Sequence, residues 1–192
     1  MKATGIVRRI DELGRVVIPK EIRRTLKIRE GDALEIYTDR DGGVILKKYS
    51  LVGELGGFVK EYAETIHQSV GHIVAICDKD AIVASSGSSR RDYAQGSSLA
   101  AGRQISEEML GLIDARRNVL NNGSHGDRMT EITRGDESIG AYTLQFIHPI
   151  ISAGDAIGAV MLISKDKNAV FDPADIKVAE TAAIFIGKQL EN

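Results

Sequence analysis

The residues able to do chemistry crowd into the first 29 positions. Nine are basic (Lys2, Arg8, Arg9, Arg15, Lys20, Arg23, Arg24, Lys27 and Arg29), against three acidic ones, Asp11, Glu12 and Glu21. Arginine presents a planar fork of N–H donors that matches a phosphate or a guanine edge, and Lys/Arg contacts to phosphates dominate affinity for nucleic acid. The chemistry on offer is capture of a polyanion; the alternative is a solvated basic face that engages nothing. The formal net charge of −2 conceals this. Residues 1–50 hold 12 Lys+Arg and 8 Asp+Glu, a net of +4, whereas residues 51–192 hold 13 and 19, a net of −6.

Other chemistry is thin. His67, His72, His125 and His148 show no metal-ligand spacing. Cys77 stands alone, so neither an internal disulfide nor a cysteine zinc site can form. Its place in an apolar strand predicts a buried packing residue. No phosphate loop, dinucleotide fingerprint or nucleophile–base spacing occurs. The expectation is a non-enzyme with no cofactor and no metal. Ser86, Ser88, Ser89, Arg90, Arg91, Asp92, His125 and Arg134 are loop groups that could meet a small ligand. Arg90-Arg91 could hold an anion, although a solvated pair is the simpler reading.

These residues need elements to position them. The 192 residues are 43% hydrophobic and 27% charged, which suits two globular domains and excludes disorder throughout. No apolar run reaches transmembrane length and no signal-type apolar core follows Met1, so a cytoplasmic protein with no membrane partner is expected. Thr4–Ile10 and Arg15–Ile18 read as short strands around an Asp11–Gly14 turn, the second apolar enough for burial on both faces. Pro19 suits the first position of a helix over about 20–26. Residues 33–38 and 44–49 read as a hairpin across Asp39–Gly43, with Lys47 and Lys48 as edge charges that limit aggregation. A unit this small without metal or disulfide needs a second copy to complete its core, so an obligate dimer is inferred.

The run from Met1 to Leu26, with Arg8-Arg9-Ile10-Asp11-Glu12-Leu13-Gly14-Arg15-Val16-Val17-Ile18-Pro19 at its centre, closely resembles the DNA-binding domain of the AbrB transition-state regulators. The resemblance continues through Gly31–Tyr37 to Ile45–Tyr49 and covers essentially all of residues 1–50. It implies a swapped-hairpin β-barrel dimer that binds double-stranded DNA. It also implies that Arg8, Arg15, Arg23 and Arg24 are the DNA contacts, with Arg9 and Lys2 as weaker candidates. The helix is too short to be a long recognition helix, and no aromatic precedes Tyr37 for single-strand stacking. Readout of shape and flexibility, favouring AT-rich duplexes, is expected.

Residues 51–70 read as a helix joining the domains, with Leu51, Leu55, Phe58 and Tyr62 on one stripe, packed either on its own domain or between subunits. Beyond it, a hairpin over about 72–84, a helix over 105–120, a loop over 121–127 and strands over 142–151 and 156–164 are predicted. Asp172-Pro173 opens a last helix whose small-residue stripe permits close packing. This order resembles the GAF domain class, most clearly in His148–Val160. The fold class expected is therefore α+β: an AbrB-type dimer in residues 1–50, the joining helix in 51–70, and a GAF-like antiparallel sheet with flanking helices in 71–192. The layout resembles the sporulation regulators of the AbrB family. That implies a transcription activator and repressor, a tetramer assembled through the GAF-like domains and helices, and room for a small-molecule effector that no residue identifies. An antitoxin-like protein-binding module is the alternative, since related swapped-hairpin domains serve as antitoxins.

Overall fold

The computed structural model describes residues 4–88 and 98–191. Lys2 and the candidates Ser89, Arg90, Arg91 and Asp92 therefore lie outside the described residues. The chain divides into two compact units, Met1–Tyr49 and Ser50–Asn192.

In the first unit the expected strands over 4–10 and 15–18 form no ladder in the single chain. The turn between them is present. Asp11 N–H donates to Arg15 O and Gly14 N–H to Asp11 O, both at 3.0 Å, with Gly14 at φ 74°. A strand exists only where a partner pairs with it, and here the apolar side chains expected to be buried stay in solvent, Val7 at 83% and Val17 at 69% exposure. Helix α1 (Lys20–Leu26) follows, with Pro19 as its N-cap rather than its first residue. It ends where Lys27 turns left-handed and its N–H reaches the Arg23 and Arg24 carbonyls. Strands β1 (Leu34–Thr38) and β2 (Val44–Lys48) pair antiparallel, with Ile36 opposite Leu46. Asp39 Oδ1 closes the turn by accepting from Asp41 and Gly43 N–H.

The second unit is built on a five-stranded antiparallel sheet. Its strands are β3 (Ile73–Asp78), β4 (Ile82–Ser86), β5 (Val119–Asn122), β6 (Leu144–Ser152) and β7 (Asp155–Ser164), in the order β4-β3-β7-β6-β5. Helices α2 (Leu51–Glu54), α3 (Gly56–Val70) and α5 (Pro173–Gln189) contribute to one core, and α4 (Glu107–Asp114) to another. Strand β7 serves both cores by simple alternation. Val160 and Leu162 enter the first, and Ala159, Met161 and Ile163 the second. With mixed helices and this sheet the chain is α+β.

Three local readings change. The helix expected over 105–120 stops at Asp114, because Arg116 turns left-handed at φ 53° and Val119–Asn122 pairs with β6 instead. Leu120, the last residue of the expected helix, is thus an exposed strand residue. Residues 51–70 form two helices broken at Leu55; Ser50 caps the first, its Oγ accepting from Gly53 N–H at 2.8 Å and donating to Asp78 Oδ2 at 2.5 Å. Val59, Ala63 and Ile66 of α3 are buried in the core of their own unit. Helix α5 opens on Asp172, which accepts from Asp175 N–H while Asp175 accepts from Asp172 N–H. Near its end a Cβ on Gly187 would stand 2.0 Å from Ile151 O, so α5 lies directly on the backbone of β6.

Candidate nucleic-acid interface

The arginines sit on three short segments of the first unit. Arg8 and Arg9 are exposed on the run before the 11–14 turn. Arg8 Nη1 donates to Val7 O at 3.2 Å, a contact with its own neighbour that leaves most of the guanidinium in water. Arg15 leaves the turn exposed, with Nε donating to Asp11 Oδ2 at 2.8 Å. Asp11 also accepts at Oδ1 from Leu13 N–H at 3.0 Å and Arg15 N–H at 2.8 Å. The Arg15 N–H and then its guanidinium hold the Asp11 carboxyl below the usual range, so it stays ionised. One carboxylate thereby fixes both the turn and the root of the arginine, while the outer guanidinium edge remains free to meet a phosphate.

Arg23 and Arg24 occupy the last turn of α1, where the helix dipole favours cations. Arg24 is exposed; Arg23 is half-buried, and its Nε is shielded without a partner among the described residues. Lys20 is exposed at the first turn. The two hairpin lysines are engaged elsewhere: Lys48 pairs with Asp32 at 3.1 Å, and Lys47 lies 4.7 Å from the centre of the Tyr37 ring.

The second unit offers less than its residue types suggested. Arg134 is tied to Glu107 and donates from Nε to Ile105 O at 3.3 Å. His125 ends an exposed 3-10 turn, Gly123–His125. Ser86 closes β4 half-buried and Ser88 follows it half-buried. Cys77 is fully buried, and burial, reinforced by Asp78, pushes its thiol far above the ordinary range, so it supplies no thiolate. His67 Nδ1 lies 2.7 Å from His72 O, and His72 Nε2 lies 3.5 Å from Asp175. Among the described residues no three His, Cys, Asp or Glu side chains are placed to hold a metal ion. None of their helices is long and apolar enough to cross a membrane. The sequence does not mark the buried polar residues Ser98, Ser106, Thr130, Thr133, Asp136 and Gln145. Only an isolated polar residue beside apolar ones could have signalled them.

The chain matches the family described as stage V sporulation protein T C-terminal, transcription factor, over residues 54–191. It matches antidote-toxin recognition MazE, bacterial antitoxin, over residues 7–53. Stage V sporulation protein T of Bacillus subtilis (strain 168) is 52% identical over 192 residues, covering 100% of this chain and 99% of the relative. Transition state regulatory protein AbrB of the same bacterium is 74% identical over 49 residues, 26% of this chain and 50% of the relative. A solved GAF domain from an Acinetobacter phosphoenolpyruvate-protein phosphotransferase covers 75% of this chain and 84% of its own, at a TM-score of 0.53 and 14% identity. That likeness is one of fold alone.

Proposed function

The chain belongs to the stage V sporulation protein T family of transcription factors, with an AbrB-type first unit, and from that premise we propose that it regulates sporulation genes by gripping duplex DNA as a dimer. The observation that carries the reading is the arginine set, with Arg8, Arg15 and Arg24 exposed and Arg23 half-buried, on a unit 74% identical to the AbrB regulator over 49 residues. Arg8, Arg15, Arg23 and Arg24 are the principal contacts, repeated by the two-fold axis; Arg9 and Lys2 contribute less. With no long helix for the major groove, phosphate contacts and DNA shape govern the choice of site, favouring AT-rich duplexes. Residues 1–50 are the DNA-binding domain, 51–70 join it to the rest, and 71–192 form the GAF-like domain. That domain and the helices pair dimers into tetramers and give an effector somewhere to act. The regulator is cytoplasmic, activates some genes and represses others, and catalyses nothing.

Arg15→Ala tests the assignment. The expected result is a loss of about 1–3 kcal/mol in DNA affinity with an unchanged circular dichroism spectrum. If roughly 4–8 phosphates are neutralised, log K falls against log salt with a slope of about −4 to −7 in the parent. A slope near zero, or unchanged affinity in the variant, would remove the arginines from the interface. The antitoxin match over residues 7–53 favours one second reading, a protein-binding module. It predicts a stable complex with a protein partner and DNA affinity indifferent to Arg15.

A further inference from the structure

The turn over residues 11–14 of the first unit holds an acid among basic residues. Asp11 and Arg15 are joined three times. Asp11 N–H donates to Arg15 O at 3.0 Å, Arg15 N–H to Asp11 Oδ1 at 2.8 Å, and Arg15 Nε to Asp11 Oδ2 at 2.8 Å. Leu13 N–H adds a second bond to Oδ1 at 3.0 Å. The two carboxylate oxygens therefore have different tasks. Oδ1 serves the backbone of the turn, and Oδ2 serves the arginine side chain. Among the described residues, Arg15 alone of Arg8, Arg15, Arg23 and Arg24 forms an ion pair with a carboxylate.

Neither stability nor charge explains that second task. The pair is exposed, with the arginine side chain 69% and the aspartate 39% accessible, and such a pair adds little to folding. Beside a polyanion the negative charge by itself opposes binding. What the bond supplies is order. A free arginine side chain gives up rotamer freedom when it grips a phosphate, and a restrained one gives up less. Because Asp11 takes Nε, the two Nη groups remain as the donors for that grip.

We propose that Asp11 is a positioning residue for DNA binding: it pre-orients the Arg15 guanidinium, so that removing its pairing oxygen weakens binding even though a negative charge goes with it. The proposal rests on reading the first unit as the DNA-binding one. It adds an acidic residue to that interface.

The test is Asp11→Asn in the full chain, alone and combined with Arg15→Ala. Affinity for a labelled duplex with an A·T-rich centre is measured by fluorescence anisotropy across a salt series. Asparagine keeps Oδ1 for the Leu13 and Arg15 N–H groups but sets an amide N–H against Nε, donor against donor. Asp11→Asn should bind about three- to tenfold more weakly, with no smaller a salt slope, because no cation is lost. In the Arg15→Ala background the same substitution should leave binding unchanged or tighter. Unchanged or tighter binding in the parent background would make Asp11 a bystander charge and overturn the proposal. So would an equal loss in both backgrounds, with or without a lower unfolding transition, which would make it a residue of the turn alone. Should Asp11→Asn fail to fold, NMR of the free parent decides. Arg15 Nε–H should exchange with water more slowly than Arg24 Nε–H, and equal rates would overturn the proposal. Arg15→Ala alone separates the two failures. If it weakens binding while Asp11→Asn does not, only the positioning role falls; if it changes nothing, the assignment of Arg15 to the interface falls with it.

Discussion

The two units solve the same burial problem in opposite ways. The second covers its sheet on both faces, and five consecutive β7 residues, Ala159–Ile163, have no exposure at all. The first has a helix with no buried residue and a hairpin whose Ile36 is 67% exposed. Some fifty residues cannot hide enough apolar surface to hold a fold alone. The second unit therefore specifies itself within one chain, and the first needs a covering surface. The arginines sit on the unit that needs covering. A monomer would present half the basic surface on a poorly held frame.

The largest expected effect strikes the self-sufficient unit. Gly187→Ala should improve α5 by helix propensity, by about 1 kcal/mol. Its Cβ, however, would stand 2.0 Å from Ile151 O, a backbone atom that cannot swing away. Packing should win, with a net loss of about 3 kcal/mol in the unfolding of the second unit. A stabilised variant would show that α5 is not seated on β6 as described. Next comes Ile36→Ala. On a self-sufficient hairpin an exposed side chain costs under about 0.5 kcal/mol. If a second copy covers it, the loss should be about 2 kcal/mol or more, with a melting temperature that depends on protein concentration. Equilibrium unfolding at two protein concentrations distinguishes the cases. A neutral result would erase the contrast between the units.

What could be read from the residues alone follows the same divide. Strands β6 and β7 were legible because their apolar runs lie in one chain and are bounded by the Ser152–Asp155 turn. Asp172-Pro173 announced α5 by capping chemistry, which is local. The strands over 4–10 and 15–18 were visible as patterns but have no ladder in one chain, because their pairing is not within it. The sequence predicts α4 too long because apolar spacing across Leu112, Ile113 and Leu120 fits a helix, whereas the left-handed Arg116 and the pairing of Val119–Asn122 with β6 are decided by tertiary context. The arginines were legible as a basic cluster and through resemblance. The sequence places Asp11 in a turn and among the acidic residues, but does not show that its carboxylate fixes Arg15. Asp136 was invisible, since burial of a single carboxylate has no periodicity.

Arg24→Ala should separate the units by function. An exposed last-turn arginine contributes little to folding, so the unfolding of both units should stay within about 0.5 kcal/mol. DNA affinity should fall about tenfold, and the magnitude of the salt slope should drop by about 1. A large loss of stability instead would make Arg24 a structural residue of the dimer.

The smallest effect is a difference in acid sensitivity. Burial depresses the His148 pKa; Glu180 opposes this, and Lys177 adds to it. The unfolded chain takes its proton near the ordinary 6.5, so below that pH it binds more protons than the folded second unit. The stability that His148 contributes is therefore present above about pH 6.5 and is lost as pH falls through its lowered folded value. Asp32 of the first unit behaves differently. Burial alone would raise it, but the Arg29 N–H and then Lys48 hold it below 3.8. Its contribution is present above pH 3.8 and is lost only beneath that, as pH falls through the folded value. Thermal unfolding between pH 7 and pH 5 should thus weaken the second unit and spare the first. His148→Gln, which cannot take up the proton, should remove the slope. A first unit that weakened over the same interval would mean its stability is tied to the second, and the contrast between a self-sufficient unit and a dependent one would have to be redrawn as a single cooperative fold.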